Sequence, residues 1–174
     1  MPIAVAYIGQ VSACGASVMA DTIENLVTEI REIVGVDTHR DDRARRVADA
    51  IRAFGQYRWV GIYDIAGDRV SILAWSGPGA PAHPTFPPTK GLTGAAISAK
   101  AAVVVGDVTK DPRYLTAFGN TRSEIIIPIL DATREGVVGT IDVESELTDA
   151  FSAVDRQTLE RCAAAAIALW TCLN

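Results

Sequence analysis

Three carboxylates, Glu124, Asp142 and Glu144, stand inside or beside the apolar runs of TRSEIIIPILDATREGVVGTIDVES, Thr121 to Ser145. Read as two strands joined by DATREG, the segment alternates its side chains between faces. Ile125, Ile127 and Ile129 share one face, and Glu124, Ile126 and Pro128 the other. In the second strand Val137, Gly139, Ile141 and Val143 point away from Val138, Thr140, Asp142 and Glu144. If the strands pair as an antiparallel hairpin, the apolar faces coincide only when paired residue numbers have an even sum, because a one-residue slip turns every side chain over. All three acids then share one face. Pairing Leu130 with Val138 sets Glu124 opposite Glu144 and Ile126 opposite Asp142, with opposed Cβ atoms about 4.5 to 5.5 Å apart, where like charges repel. Two readings remain open. Water can cover one face of an antiparallel sheet, and exposed carboxylates cost little there. Alternatively, the face lines a pocket that binds a cation or a hydrogen-bond donor such as an amine, or that shifts one carboxyl toward its neutral form.

Other residues able to do chemistry are few. Cys14, Cys162 and Cys172 form no C-x-x-C pair. The last two fall ten residues apart in one expected helix, about 15 Å at a rise of about 1.5 Å per residue, too far for a disulfide. An odd cysteine count without a framework points to a reducing, cytoplasmic setting. His39 and His83 lack a second ligand at metal spacing, so they read as loop or surface residues, and no metal or cofactor is expected. The net charge of -5 comes from interspersed acids and bases, which gives no footprint for nucleic acid. No apolar run reaches eighteen residues, so no membrane span is expected. MPIAVAYIGQVSACGASVMA carries no charge and lacks the basic start of a secretory signal. Residues 1–20 are therefore expected to form an N-terminal arm, or a strand and turn that dock on a neighbour.

The elements that must position the acids follow from period and punctuation. DTIENLVTEIREIVG sets Ile23, Leu26, Val27, Ile30 and Val34 at helical spacing, with Asp21 and Glu24 as a capping box and Gly35 as the stop. RARRVADAIRAFG makes a second helix with Val47, Ala50, Ile51 and Phe54 on its apolar face and Arg43, Arg45 and Arg46 mostly in water. RWVGIYDI and RVSILAWS flank the turn AGD as a hairpin, and Trp59, Gly61 and Tyr63 share a face. GPGAPAHPTFPPTKG, with five of the chain's eight prolines, is a long loop that cannot be a helix or a central strand. GLTGAAISAK suits a short helix and AAVVVGDV a buried strand, while TKDPRYLTAFGN reads as an irregular crossover. Ser152 and Asp155 cap a closing helix whose stripe runs from Leu159 through Cys162, Ala163, Ala166, Ile167 and Trp170 to Leu173. Helices at both ends with hairpin-linked strands between them predict an α+β fold around an antiparallel sheet. The near-heptad stripes of the terminal helices predict a homodimer through those helices.

The ordered series GLTGAAISAKAAVVVGDVTKDPRYL, TRSEIIIPIL, GVVGTIDVES and FSAVDRQTLERCAAA resembles a GAF domain, here spanning residues 21–174. The resemblance implies a six-stranded antiparallel sheet with the N- and C-terminal helices packed on one face and a small-molecule pocket over the other. WVGIY, SEI and IDVES are further similar to the free methionine-(R)-sulfoxide reductases, in which a Trp and a Tyr enclose the substrate's apolar end and acids contact its polar groups. By that likeness the ligand-binding residues are Trp59, Tyr63, Glu124, Asp142 and Glu144. Glu144 stands where Asp is usual. The family's cysteines lie in G-x-C-G and just before S-E-I, and this chain has Thr93 and Ala117 there. A hydroxyl or a methyl cannot form the sulfenic acid and disulfide of that reaction. No catalytic residue is therefore assigned. The expectation is a non-catalytic GAF sensor or signalling module for a small amine or an amino-acid-like metabolite. The alternatives are a reductase-like redox enzyme using Cys14 and a structural dimer with a vestigial pocket.

Overall fold

Apolar residues repeat every three or four positions from Ile23 to Val34, and the chain coils there so that Leu26, Val27, Ile30, Ile33 and Val34 are buried together. The computed structural model describes residues 12–171 and places this stripe on α1 (Ser12–Gly35). Residues 1–11 of the expected arm, Cys172, Leu173 and the side chain of Cys14 lie outside the described residues. The helix starts at Ser12, not at the predicted cap Asp21. Extending a helix by one residue costs far less than nucleating one, and SACGASVMA has no proline to stop it. The arm boundary drawn after residue 20 thus falls inside α1.

The next helix, α2 (Arg40–Gly55), buries Arg43, Ala44, Val47, Ala48 and Ile51. Arg43 was expected in water, but its spacing of four from Val47 and eight from Ile51 puts it on the apolar face. Its Nη1 donates to the carbonyl of Val34 at 2.8 Å, capping an end of α1. β1 (Trp59–Ala66) and β2 (Arg69–Ser76) form the predicted hairpin, turning at Gly67 with φ of 60°. In the proline-rich loop the two-residue β3 (Thr85–Phe86) pairs with Val70 and Ser71 at the sheet edge. Then come α3 (Gly91–Ala99), β4 (Val103–Val105) and a 3-10 turn at Val108–Lys110. The predicted buried strand is an edge strand: β4 pairs only with β5, and Val104 is exposed.

β5 (Ser123–Leu130) and β6 (Val137–Ser145) complete an antiparallel six-stranded sheet in the order β3-β2-β1-β6-β5-β4. α4 (Ala153–Ala166) starts with the predicted capping box, Ser152 accepting from the Asp155 N–H while the Asp155 side chain accepts from the Ser152 N–H. The long helix expected to reach Leu173 ends early, in a 3-10 turn at Ile167–Leu169. Trp170 then folds over the sheet, and its Nε1 donates to Asp64 at 2.7 Å. α1, α2 and α4 share one face of the sheet, over Val60, Ile62, Ile125, Ile127, Ile129, Ile141 and Val143. The other face is covered by α3 and the loops around 77–90 and 106–122.

Candidate functional site

β5 and β6 pair Glu124 with Glu144 and Ile126 with Asp142, as parity predicts. The register slips only at the turn, where Leu130 pairs with Val137 and not with Val138. There Asp131 Oδ1 accepts from Thr133 Oγ1 and the Glu135 N–H, which tightens one strand end by a residue. Because the slip lies beyond Ile129, it leaves the acids on one face. They are not in water: Glu124 and Asp142 are 6% exposed and Glu144 is 0% exposed. Loops cover the face, and the solvated reading is overturned.

Three buried carboxylates this close cannot all be ionised at low cost. Burial, then the charges of Asp142 and Glu144, push Glu124 well above the usual carboxylate range. Burial and the Glu144 charge do the same to Asp142, while a hydrogen bond from Glu124 opposes the shift. Burial raises Glu144 to about 7 against the opposing effects of Thr121 and Arg58. Thr121 Oγ1 donates to Glu144 Oε2. Glu124 Oε2, Asp142 Oδ1, Glu144 Oε1 and Thr140 Oγ1 are buried without a hydrogen-bond partner. Such a set of acceptors is unfavourable until a donor or cation reaches it.

The aromatic wall is set by β1. Trp59 and Tyr63 are buried with ring centroids 6.4 Å apart, and in the sheet register Trp59 lies opposite Glu144. Between them Gly61, opposite Asp142, has no room for a side chain, since a Cβ there would lie 2.3 Å from Trp59 Cη2. Phe118 meets Trp59 in a tilted contact, centroids 5.4 Å apart, and Phe86 meets Tyr63 edge-on at 5.7 Å. Arg58 lies 4.9 Å over the Phe118 ring, and its Nε donates to Glu146 at 2.7 Å. Trp59 Nε1 donates to the Gly79 carbonyl at 3.0 Å, which ties down the proline-rich loop. Burial, with the nearby acids, holds the Tyr63 phenol far above its ordinary range, so it remains a donor.

A narrow cleft with about 20 Å³ of enclosed space, or about 340 Å³ with its open mouth included, leads to the acids. Of the five sequence-predicted site residues, Tyr63, Glu124 and Asp142 line it, while Trp59 and Glu144 pack fully buried beside it. Thr93 and Ala117, at the positions that the reductase likeness gives to cysteines, both line it as well. Phe86, Leu92 and Leu115 complete the apolar wall, and the exposed His83 stands at the cleft. Sequence reading missed Phe86, Leu92, Leu115 and Phe118, since each lies in a loop or short helix whose fold-over leaves no periodic signal. Thr121 was also missed, although it lies only two residues before Ser123, where the strand that carries Glu124 begins. Cys162, the one cysteine side chain among the described residues, lies in the helix-side core, where burial pushes its thiol to about 12. Cys14 belongs to the first turns of α1, which packs on α2 and α4 across the sheet from the cleft.

This arrangement can bind a cationic or donor-rich ligand and hold a proton, but no thiol reaches it from the described side chains. Residues 39–169 match the GAF domain family. GAF domain-containing protein A of Dictyostelium discoideum is 25% identical over 137 residues, covering 78% of this chain and 84% of that protein. The free methionine-R-sulfoxide reductase of Saccharomyces cerevisiae is 36% identical over 74 residues, 42% of this chain and 41% of that enzyme. In fold, the chain is similar to the free methionine-R-sulfoxide reductase of Neisseria meningitidis, solved in complex with its substrate. The TM-score is 0.77 at 22% identity, over 96% of this chain and 95% of that one.

Proposed function

The chain belongs to the GAF domain family, and on that premise we propose that it is a non-catalytic, small-molecule-binding signalling module whose ligand is a small amine or an amino-acid-like metabolite. The observation that carries this reading is the set of buried, unpartnered carboxylate oxygens on Glu124, Asp142 and Glu144. An ammonium group supplies three N–H donors and a positive charge to them. Tyr63, backed by Trp59 and Phe86, offers an apolar wall for a short side chain. The first turn of α3, Gly91 to Thr93, lines the same cleft, and free N–H groups at a helix start favour a carboxylate. An amino acid zwitterion therefore suits the cleft better than a simple amine.

Ligand occupancy would reach the helices on the other face through β1, β5 and β6, and from there a separate cytoplasmic partner. A homodimer is part of this proposal. Residues 19–22 of α1 are exposed, with Met19 at 55%, and the buried stripe starts only at Leu26. An exposed helical turn that includes a large apolar side chain gains by being covered, and a second copy is the simplest cover for it.

Reduction of free methionine-(R)-sulfoxide is the competing reading, favoured by the likeness to reductases and opposed by Thr93 and Ala117 at the cleft. One experiment separates the two. Titration calorimetry with free amino acids and amines is expected to give saturable binding that Glu124→Gln abolishes, together with no thiol-dependent loss of methionine-(R)-sulfoxide. Turnover that disappears in Cys14→Ser would establish the reductase. No binding to any compound, with Glu124→Gln more stable than the wild type, would make the pocket vestigial.

A further inference from the structure

The deepest part of the cleft has a geometry that goes beyond amine recognition. One oxygen each from Glu124, Asp142 and Glu144 can be chosen so that all three lie within 4.8 Å of one another. Oxygens within that distance can share one hard cation, and Mg²⁺, which sheds its water reluctantly and demands near-ideal octahedral geometry, is a poorer fit than Ca²⁺ to a site built from several protein oxygens. Each of the three carboxylates also keeps one oxygen that is buried and without a partner. Among the described residues no Lys or Arg forms an ion pair with any of the three, as Arg58, the nearby cation, is engaged by Glu146. Thr140 Oγ1, also buried and unpartnered, lies on the same strand face two residues before Asp142.

Three buried carboxylates with unpartnered oxygens, and no ion-paired Lys or Arg among the described residues, are compensated better by a divalent cation than by a single ammonium. An all-oxygen donor set selects hard cations over zinc or copper.

We propose that Glu124, Asp142 and Glu144 form a Ca²⁺ site at the floor of the cleft, with Thr140 as a further oxygen donor and water completing the coordination. The inference rests on the reading of this cleft as a binding pocket, and it makes the cation a regulator that competes with an ammonium for the same oxygens. It revises the expectation that no metal would be bound, which rested on His39 and His83 having no second ligand at metal spacing.

The test is titration of the chelator-treated full chain with CaCl₂, MgCl₂ and MnCl₂ by calorimetry, together with Tb³⁺ luminescence excited through tryptophan. Ca²⁺ is expected to bind at one site per chain, more tightly than Mg²⁺. Glu144→Gln and Glu124→Gln should each weaken it at least tenfold, while Glu135→Gln, on the exposed DATREG turn, should not. Tb³⁺ emission sensitised by the neighbouring Trp59 should be displaced by Ca²⁺ and lost in Glu144→Gln. Circular dichroism of both glutamine variants checks that they fold, and if one does not, the other carries the comparison. No heat and no Tb³⁺ emission at millimolar cation would overturn the proposal, as would binding that neither glutamine variant weakens. Amines that bind while all three cations fail would sink the cation site and leave the amine reading standing. Cations that bind while amines fail would do the reverse.

Discussion

At the residue scale the decisive fact is that Glu144, fully buried, accepts from Thr121 through one carboxylate oxygen and leaves the other without a hydrogen-bond partner. Burial raises its carboxyl from 4.5 to about 7. Between these values the folded chain holds a proton that the unfolded chain releases, so stability falls as pH rises through that window and levels off above it. For Glu144 the loss is about 3 kcal/mol, and Glu124 and Asp142, shifted in the same direction, add to it. The melting temperature is therefore expected to be higher at pH 5 than at pH 8. Glu144→Gln keeps an acceptor for Thr121 and removes the charge, so it should flatten the profile and raise the melting temperature at pH 8. A wild-type profile flat over this range would contradict the buried-acid account. Parity placed these acids on a common face, but their burial was not legible in the sequence. Burial depends on Phe118, Phe86 and Thr121, which come from other parts of the chain and carry no pattern that points to Glu144.

At the element scale, β1 and α4 show how local rules and tertiary packing divide the work. Gly61 looks like a weak point in a strand, since glycine lowers strand propensity. Its role appears only when the Trp59 indole crosses the strand where a Cβ would stand. Gly61→Ala should overpack the wall and cost about 1 to 3 kcal/mol in urea denaturation, with a shift in tryptophan emission. An unchanged midpoint would mean that Trp59 is not held there. The start of α4 was fully legible, because Ser152 and Asp155 act within a single turn. Ser152→Ala removes one half of the capping box and should cost about 1 kcal/mol by the same measurement. The end of α4 was not legible: Ile167 and Trp170 continue the helical stripe in sequence, but Asp64 on β1 draws the Trp170 N–H away. The start of α1 was misread for a related reason. Asp21 and Glu24 fit a capping box, but a cap pattern does not stop a helix that is already running through Ser12 to Ala20.

At the scale of the whole molecule, the sheet separates a helix-side core from a cleft side, and the proposed signalling role requires the two to be coupled. The exposed turn of α1 at residues 19–22 gives the dimer its testable form. Light scattering after gel filtration is expected to give twice the mass of the chain, and Met19→Glu should shift it to the monomer. A monomeric wild type would remove the dimer from the proposal and leave the cleft untouched. By itself the sequence determined the strand faces, the β5–β6 register over the acids, the hairpin of β1 and β2, and the core stripes of α1 and α4. Each of these depends on neighbours within one turn or one strand pair, where side-chain period and turn chemistry are sufficient. Tertiary structure alone decided whether the acid face met water or a pocket. That outcome depends on loops from residues 77–90 and 106–122 folding over β5 and β6, and contacts between segments so far apart in the chain leave no period to read. The same closure strips water from three carboxylates and raises the cost of ionising them.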